Sequence, residues 1–208
     1  MRRVSFLVVV LFSLASARAQ NPDSSSKAKQ KTEQHVKTNS LAPETDEGFY
    51  RNPEFGFTYH VRYGWVDRTK EMQPDATDPS KSKLLLAAFE RPPEVLGDTV
   101  NSAVIITVES AASYPGLKTA ADYTGPLTEL TTSKGFKVTQ EPYDFSGGAQ
   151  QLVRSDFTKD LGKLIMYQSS LVLLHKGSLV LFTFIGGSED EVEELIEKLA
   201  FLPSSKHR

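Results

Sequence analysis

The chain has 208 residues, 24 Lys+Arg against 26 Asp+Glu for a net charge of −2, 39% hydrophobic residues and no cysteine. A near-neutral, slightly acidic chain lacks the basic footprint on which nucleic-acid binding rests. The absence of cysteine excludes disulfides, a lipidated N-terminal cysteine and thiolate zinc sites.

The N-terminus has the pattern of an export signal. Arg2 and Arg3 form a positive start, "VSFLVVVLFSLAS" is an apolar run of signal-core length, and Ala17-Arg18-Ala19 supplies the small-x-small cleavage pattern. The apolar run is short for a helix that must cross about 30 Å of hydrocarbon. We therefore read residues 1–19 as a cleaved signal, with no stable membrane anchor afterwards. The expected location is the periplasm or the exterior of a bacterial cell. Cleavage removes Arg2, Arg3 and Arg18 and no acid, which moves the net charge from −2 to −5.

Residues 20–48, "QNPDSSSKAKQKTEQHVKTNSLAPETDEG", are dominated by Ser, Lys, Gln, Thr and Glu, with Val36 and Leu41 as the strongly apolar exceptions. Such a stretch buries too little surface to offset its ordering entropy and reads as a disordered polar leader. A single domain then spans 49–203, followed by a polar tail at 204–208. About 150 residues suffice for one domain with one core.

The domain opens on "FGFTYHV" (55–61), where Phe55, Phe57, Tyr59 and Val61 alternate as on a half-buried strand. Gly64 is read as turning the chain back into a second strand, "WVDRT", so that the two form a hairpin. Tyr63 and Arg62 lie on the bend, where a partner would find them first; they are the candidate partner-binding residues. "KLLLAAFER" (83–91) and "SAVIITVES" (102–110) are compact apolar strands separated by a Pro92-Pro93 loop.

Between them and the next strands, "KTAADYTGPLTELTTSKG" (118–135) predicts a short helical turn, a break at Gly125-Pro126, and a second short helix over 126–132. The second half reads as an antiparallel meander. "GFKVTQEPYDF", "AQQLVRSDFT", "KLIMYQSSLVLLH" and "SLVLFTFIG" are separated by turn residues at Ser146-Gly147-Gly148, Asp160-Leu161-Gly162 and Lys176-Gly177. "LVLLH" and "LVLFTFI" are apolar on both faces, so layers are needed above and below the sheet. The fold class this predicts is α+β, a three-layer α/β/α sandwich around a central, mainly antiparallel sheet.

"SEDEVEELIEKLAF" (188–201) closes the domain. Ser188 and Glu191 have capping-box spacing, Glu189, Asp190 and Glu191 complement the positive end of the helix dipole, and Val192, Leu195, Ile196 and Leu199 form one apolar stripe.

The reactive motifs fail on inspection. His35, His60, His175 and His207 share no metal-ligand spacing. A calcium loop starting at Asp156 would need Gly and Glu where Leu161 and Tyr167 stand. A phosphate at Gly186-Gly187-Ser188 would face three acids in the first helical turn. There is no Gly-x-Ser-x-Gly elbow. We read no catalytic, cofactor-binding or metal residue in the chain.

Tyr50-x-Asn52-x-x-Phe55-Gly56-Phe57-x-Tyr59 followed by Gly64-Trp65 resembles the opening of PsbP-like proteins. Leu181-Phe182-Thr183-Phe184, the acid-capped helix and Leu199-Ala200-Phe201 are similar to that family's close. The resemblance spans about 49–203 and rests on core-forming residues. It implies an α/β/α sandwich shared with a nuclear-transport factor that binds the small GTPase Ran. The family's best-known member is an extrinsic subunit of the photosynthetic oxygen-evolving complex without catalytic activity, and other bacterial members are exported. The expectation is a monomeric, non-enzymatic domain that binds or helps assemble a protein partner in the cell envelope. Its rivals are a carrier of a small apolar ligand and a hydrolase with an unrecognised site.

Overall fold

A computed structural model of the chain describes residues 44–46, 48–73, 82–148 and 150–202. The signal at 1–19, the leader up to residue 43 and the tail at 204–208 lie outside the described residues. The strands are β1 (Glu44–Asp46), β2 (Phe49–Asn52), β3 (Phe57–His60), β4 (Val66–Asp67), β5 (Lys83–Phe89), β6 (Ala103–Ser110), β7 (Lys137–Gly147), β8 (Gln150–Asp160), β9 (Ile165–His175), β10 (Ser178–Gly186) and β11 (Leu199–Phe201). The helices are α1 (Thr124–Ser133) and α2 (Glu189–Ile196). β1 falls within the stretch read as leader.

The strands form a seven-stranded antiparallel sheet, ordered β4-β5-β6-β10-β9-β8-β7, and a four-stranded sheet, ordered β1-β2-β3-β11. The large sheet is the middle of three layers. On β9 and β10, Leu171, Leu173, Val180, Phe182 and Phe184 point into one core with the small sheet and α2. Val172, Leu179 and Leu181 point the other way, into a core with Ala120, Tyr123 of the preceding 3-10 turn and Leu127 of α1. Residues alternate across a strand, so apolar side chains at successive positions require cover on both faces. The three-layer α+β architecture is as the sequence predicts. One outer layer, however, is mostly a β-sheet: α2 covers only part of it, and the aromatic strands cover the rest.

This layer corrects the reading of residues 55–69. They are not a hairpin. β3 pairs with β2 and β11 in the small sheet, while β4 pairs with β5 in the large one. Tyr63 and Gly64, which has φ +82, lie where the chain leaves one sheet for the other. The rings still serve the core as expected. Phe57 meets Phe182 edge-on at 4.9 Å, Tyr59 lies 6.0 Å from Phe184, and Phe201 approaches Phe182 at 6.0 Å. Burying each such ring stabilises by about 1.5–3 kcal/mol, and each edge-on pair adds about 0.5–1.5 kcal/mol.

The second half forms the meander the turn residues predict. Lys176 and Gly177 both have positive φ (48° and 80°), the conformation a two-residue hairpin turn needs and glycine adopts at least cost. The 118–135 stretch differs. A 3-10 turn over Ala121–Tyr123 continues into α1 without a break, because Tyr123 and Thr124 keep helical dihedrals. Pro126 is the third residue of α1, where its missing N–H has no intrahelical partner to lose.

α2 begins as predicted: Ser188 Oγ accepts from Glu191 N–H at 3.1 Å. The return contact reaches one residue further back than in a standard box, Gly187 N–H donating to Glu191 Oε2 at 2.8 Å. The other carboxylate oxygen accepts from the Ser102 hydroxyl, which ties α2 to the start of β6. Val192, Leu195 and Ile196 are buried as expected, but the helix ends at Ile196 and Leu199 belongs to β11.

Candidate functional site: the loop end of the large sheet and its cleft

The antiparallel registers bring the start of β4, the end of β5, the start of β6, the end of β10, the start of β9, the end of β8 and the start of β7 to one end of the large sheet. Seven large apolar side chains are exposed among the described residues, and six stand at this end. Tyr63 is in the turn leading into β4, Val95 and Leu96 in the β5–β6 loop, Leu161 in the β8–β9 turn, Ile165 at the start of β9 and Val138 at the start of β7. The seventh, Phe49, stacks on His60 at 4.4 Å. Single exposed apolar side chains need no explanation, but their concentration at one end of a sheet does.

The β5–β6 loop that carries Val95 and Leu96 is braced. Asn101 exchanges two hydrogen bonds with the Arg91 backbone, at 3.1 and 2.9 Å. The Arg91 guanidinium donates to Thr99 Oγ1 at 3.1 Å and to the Thr99 carbonyl, and Arg68 donates to Glu94. Gly97 packs closely against that guanidinium: a Cβ there would come within 2.7 Å of Arg91 Nη2. Leu96, 82% exposed, is therefore held out by a loop with its own scaffold.

Of the two residues singled out from the sequence, Tyr63 is fully exposed. Arg62 is half-buried and donates to Glu194 on α2. The remainder of the apolar surface was not identified by sequence reasoning. No local signal marks it: the same β5–β6 loop buries Val100 while Val95 and Leu96 stand out.

On the α2 face near the same end lies a cleft of about 250 Å³. Its floor is a polar cluster that one strand periodicity explains. Arg154 and Asp156, two apart on β8, share a face, and Ser169 of β9 is directly paired with Asp156. Arg154 Nε donates to both Asp156 oxygens, at 2.9 and 3.1 Å. Its Nη2 donates to Ser169 Oγ at 3.0 Å and to Glu193 of α2. The Ser169 hydroxyl donates to Asp156, and the Tyr143 hydroxyl reaches Asp156 at 3.2 Å. Burial alone would lower the Arg154 pKa. The hydrogen bonds and charges of Glu193 and Asp156 outweigh it and hold the guanidinium above its ordinary value. Thr139, Gln140, Tyr167, Gln168 and Glu189, with the apolar Phe157 and Val192, complete the walls.

A second buried polar group lies on the opposite face. Glu109 of β6 is 6% exposed and accepts a hydrogen bond from the Tyr114 hydroxyl, with Tyr123 beside it, while its Oε1 is buried without a hydrogen bond of good geometry among the described residues. Burial raises the Glu109 pKa, and the Tyr114 hydrogen bond pulls the other way. His60 is exposed beside Phe49, and His175 meets the edge of Phe55 at 6.3 Å. Among the described residues no helix is long and apolar enough to cross a membrane.

No protein-family model matches the chain, and no curated protein does. Solved structures are similar to it. The cyanobacterial PsbP of Synechocystis sp. PCC 6803 shares 15% identity at a TM-score of 0.47, over 81% of this chain and 98% of that one. The Ran-binding protein Mog1p of Saccharomyces cerevisiae shares 13% at 0.42, over 72% and 92%. LpqN of Mycobacterium tuberculosis, involved in cell envelope biogenesis, shares 12% at 0.41, over 71% and 83%. The first two are of the kinds that the sequence resemblance names.

Proposed function

We propose that the chain is an exported, non-catalytic domain that binds or helps assemble a protein partner in the cell envelope, docking through the loop end of its large sheet. The observation that carries this reading is the gathering of Tyr63, Val95, Leu96, Leu161, Ile165 and Val138 at that end. Partner interfaces place aromatic and aliphatic anchors inside a polar rim. A loop braced like that of Leu96 reduces the ordering cost of binding. Export is supported by Arg2-Arg3, the apolar run and Ala17-x-Ala19. The cleft fits neither rival. Its lining is mainly polar, which is unsuited to an apolar cargo, and Arg154 ties up Asp156 and Glu193, two carboxylates that a hydrolase would need free.

The test is affinity capture from cell-envelope extract with the mature chain, run beside L96D and L161D variants and their double. All three should fold, since both side chains are exposed. The expected result is one specific protein retained by the parent and lost from the double variant at an unchanged melting temperature. Equal retention by parent and double variant would overturn the reading, as would a lipid found bound by native mass spectrometry with no protein captured.

A further inference from the structure

Docking at the loop end leaves the cleft beside α2 without a role. We propose that this cleft binds an organic cation, an alkylammonium or guanidinium group of side-chain size. Size argues first. Pockets that enclose whole drug-sized molecules run to roughly 300–1,000 Å³, whereas this one has about 250 Å³ and suits a single functional group on a short stem.

Charge decides the sign of the ligand. Asp156, Glu189 and Glu193 line the cleft against Arg154 alone, a formal balance of −2. Arg154 is nine-tenths buried, and its Nε and Nη2 are committed to Asp156, Ser169 and Glu193. An incoming anion would have to displace those carboxylates and would then face them at close range. A cation meets Glu189 and Glu193, four apart and so on one face of α2, with half of the Glu193 side chain still in solvent. A concave site of one sign also focuses its field more than the same charges would on an open surface.

The walls complete the fit. Tyr167 offers an aromatic ring, which attracts ammonium and guanidinium groups by its electron-rich face, while the Tyr143 ring already faces the Arg154 guanidinium at 5.8 Å. Gln140, Gln168 and Thr139 offer oxygen acceptors to N–H donors. Hydrogen bonds among Arg154, Asp156, Ser169 and Tyr143 hold the floor in place before any ligand arrives. The cation has two sources, a free amine or the side chain of a Lys or Arg on a polypeptide.

The experiment is a titration of the mature chain followed by amide and side-chain NMR shifts. The probes are n-butylammonium, its neutral isostere n-butanol, and a blocked Gly-Lys-Gly peptide beside Gly-norleucine-Gly. Saturable shifts at Gln140, Gln168 and Tyr167 are expected with the two cations and not with the two neutral probes. E189Q should weaken binding at least threefold at an unchanged melting temperature, and added salt should weaken it further. Binding of the peptide tenfold tighter than butylammonium assigns the site to a polypeptide side chain, and equal binding to a free amine. Shifts that do not saturate, or that butanol reproduces, overturn the proposal. L96D should leave butylammonium binding unchanged, so the cleft and the loop end stand or fall separately.

Discussion

Arg154 of β8 and Glu193 of α2 are joined by a direct hydrogen bond, so one buried guanidinium fastens the helix to the sheet while also holding Asp156 on its own strand. The two carboxylates are not equivalent. The Asp156 side chain is 16% exposed and that of Glu193 is 50% exposed. Breaking a buried pair by removing one partner leaves an uncompensated charge and costs about 3–5 kcal/mol, whereas an exposed pair is worth about 0–1 kcal/mol. R154M should therefore lose about 3 kcal/mol, the low end, because Asp156 keeps its Ser169 and Tyr143 contacts. E193Q should lose less than about 1 kcal/mol. Urea denaturation of the two variants measures both, and equal losses would mean that the cluster is not held by the buried half.

Glu109 gives a pH dependence of stability. Its carboxyl has a folded-state pKa raised above the ordinary 4.5, burial being the main cause. A raised value means that the folded state binds the proton more tightly than the unfolded chain. The stabilisation is complete below the ordinary carboxyl value and is lost as pH rises through the raised one, each tenfold gain in proton affinity being worth about 1.4 kcal/mol. The neighbouring Tyr114 and Tyr123 phenols are pushed upward by burial and stay neutral across this window. E109Q cannot titrate. Melting temperatures of parent and variant should diverge in slope from about pH 4.5 upward, the parent falling relative to the variant. Parallel curves would place the Glu109 carboxyl in water-like surroundings. The slope carries the test, because the amide alters the absolute level through its extra donor.

How much of this was legible in the sequence depends on the range over which each feature is specified. The Ser188–Glu191 cap, the Lys176-Gly177 turn and the two-sided strands β9 and β10 are written in adjacent residues, and the structure has them. Where β3 finds its neighbours is not written locally. Phe57 and Phe201 are register partners far apart in the chain, and Gly64 looks the same whether it closes a hairpin or releases the chain to another sheet. The site was legible in part. Tyr63 reads as an exposed ring because it follows a strand and precedes a glycine. Leu96 does not, since an apolar residue in a loop looks the same whether it folds under or stands out. Arg154 had a readable sign in Asp156 two positions along. The third member, Glu193, comes from another layer.

Gly147 tests that long-range packing at one position. It ends β7 with a residue that contributes no side chain to the sheet, and the Phe201 ring of β11 lies against it. A Cβ there would come within 2.6 Å of Phe201 Cε2 and 3.0 Å of Leu152 Cδ1. Its φ is not in the left-handed region, so the penalty of a substitution comes from crowding and not from the backbone. Phe201 also packs edge-on against Phe182, which limits its freedom to move aside. G147A should cost about 1–3 kcal/mol, the range for overpacking a filled core. F201L removes the atoms that crowd it and has its own cost. The double variant should therefore lose less than the sum of the two single losses, by about 0.5 kcal/mol or more. Additive losses in a denaturation cycle would separate Gly147 from Phe201 and with it β11 from the end of β7.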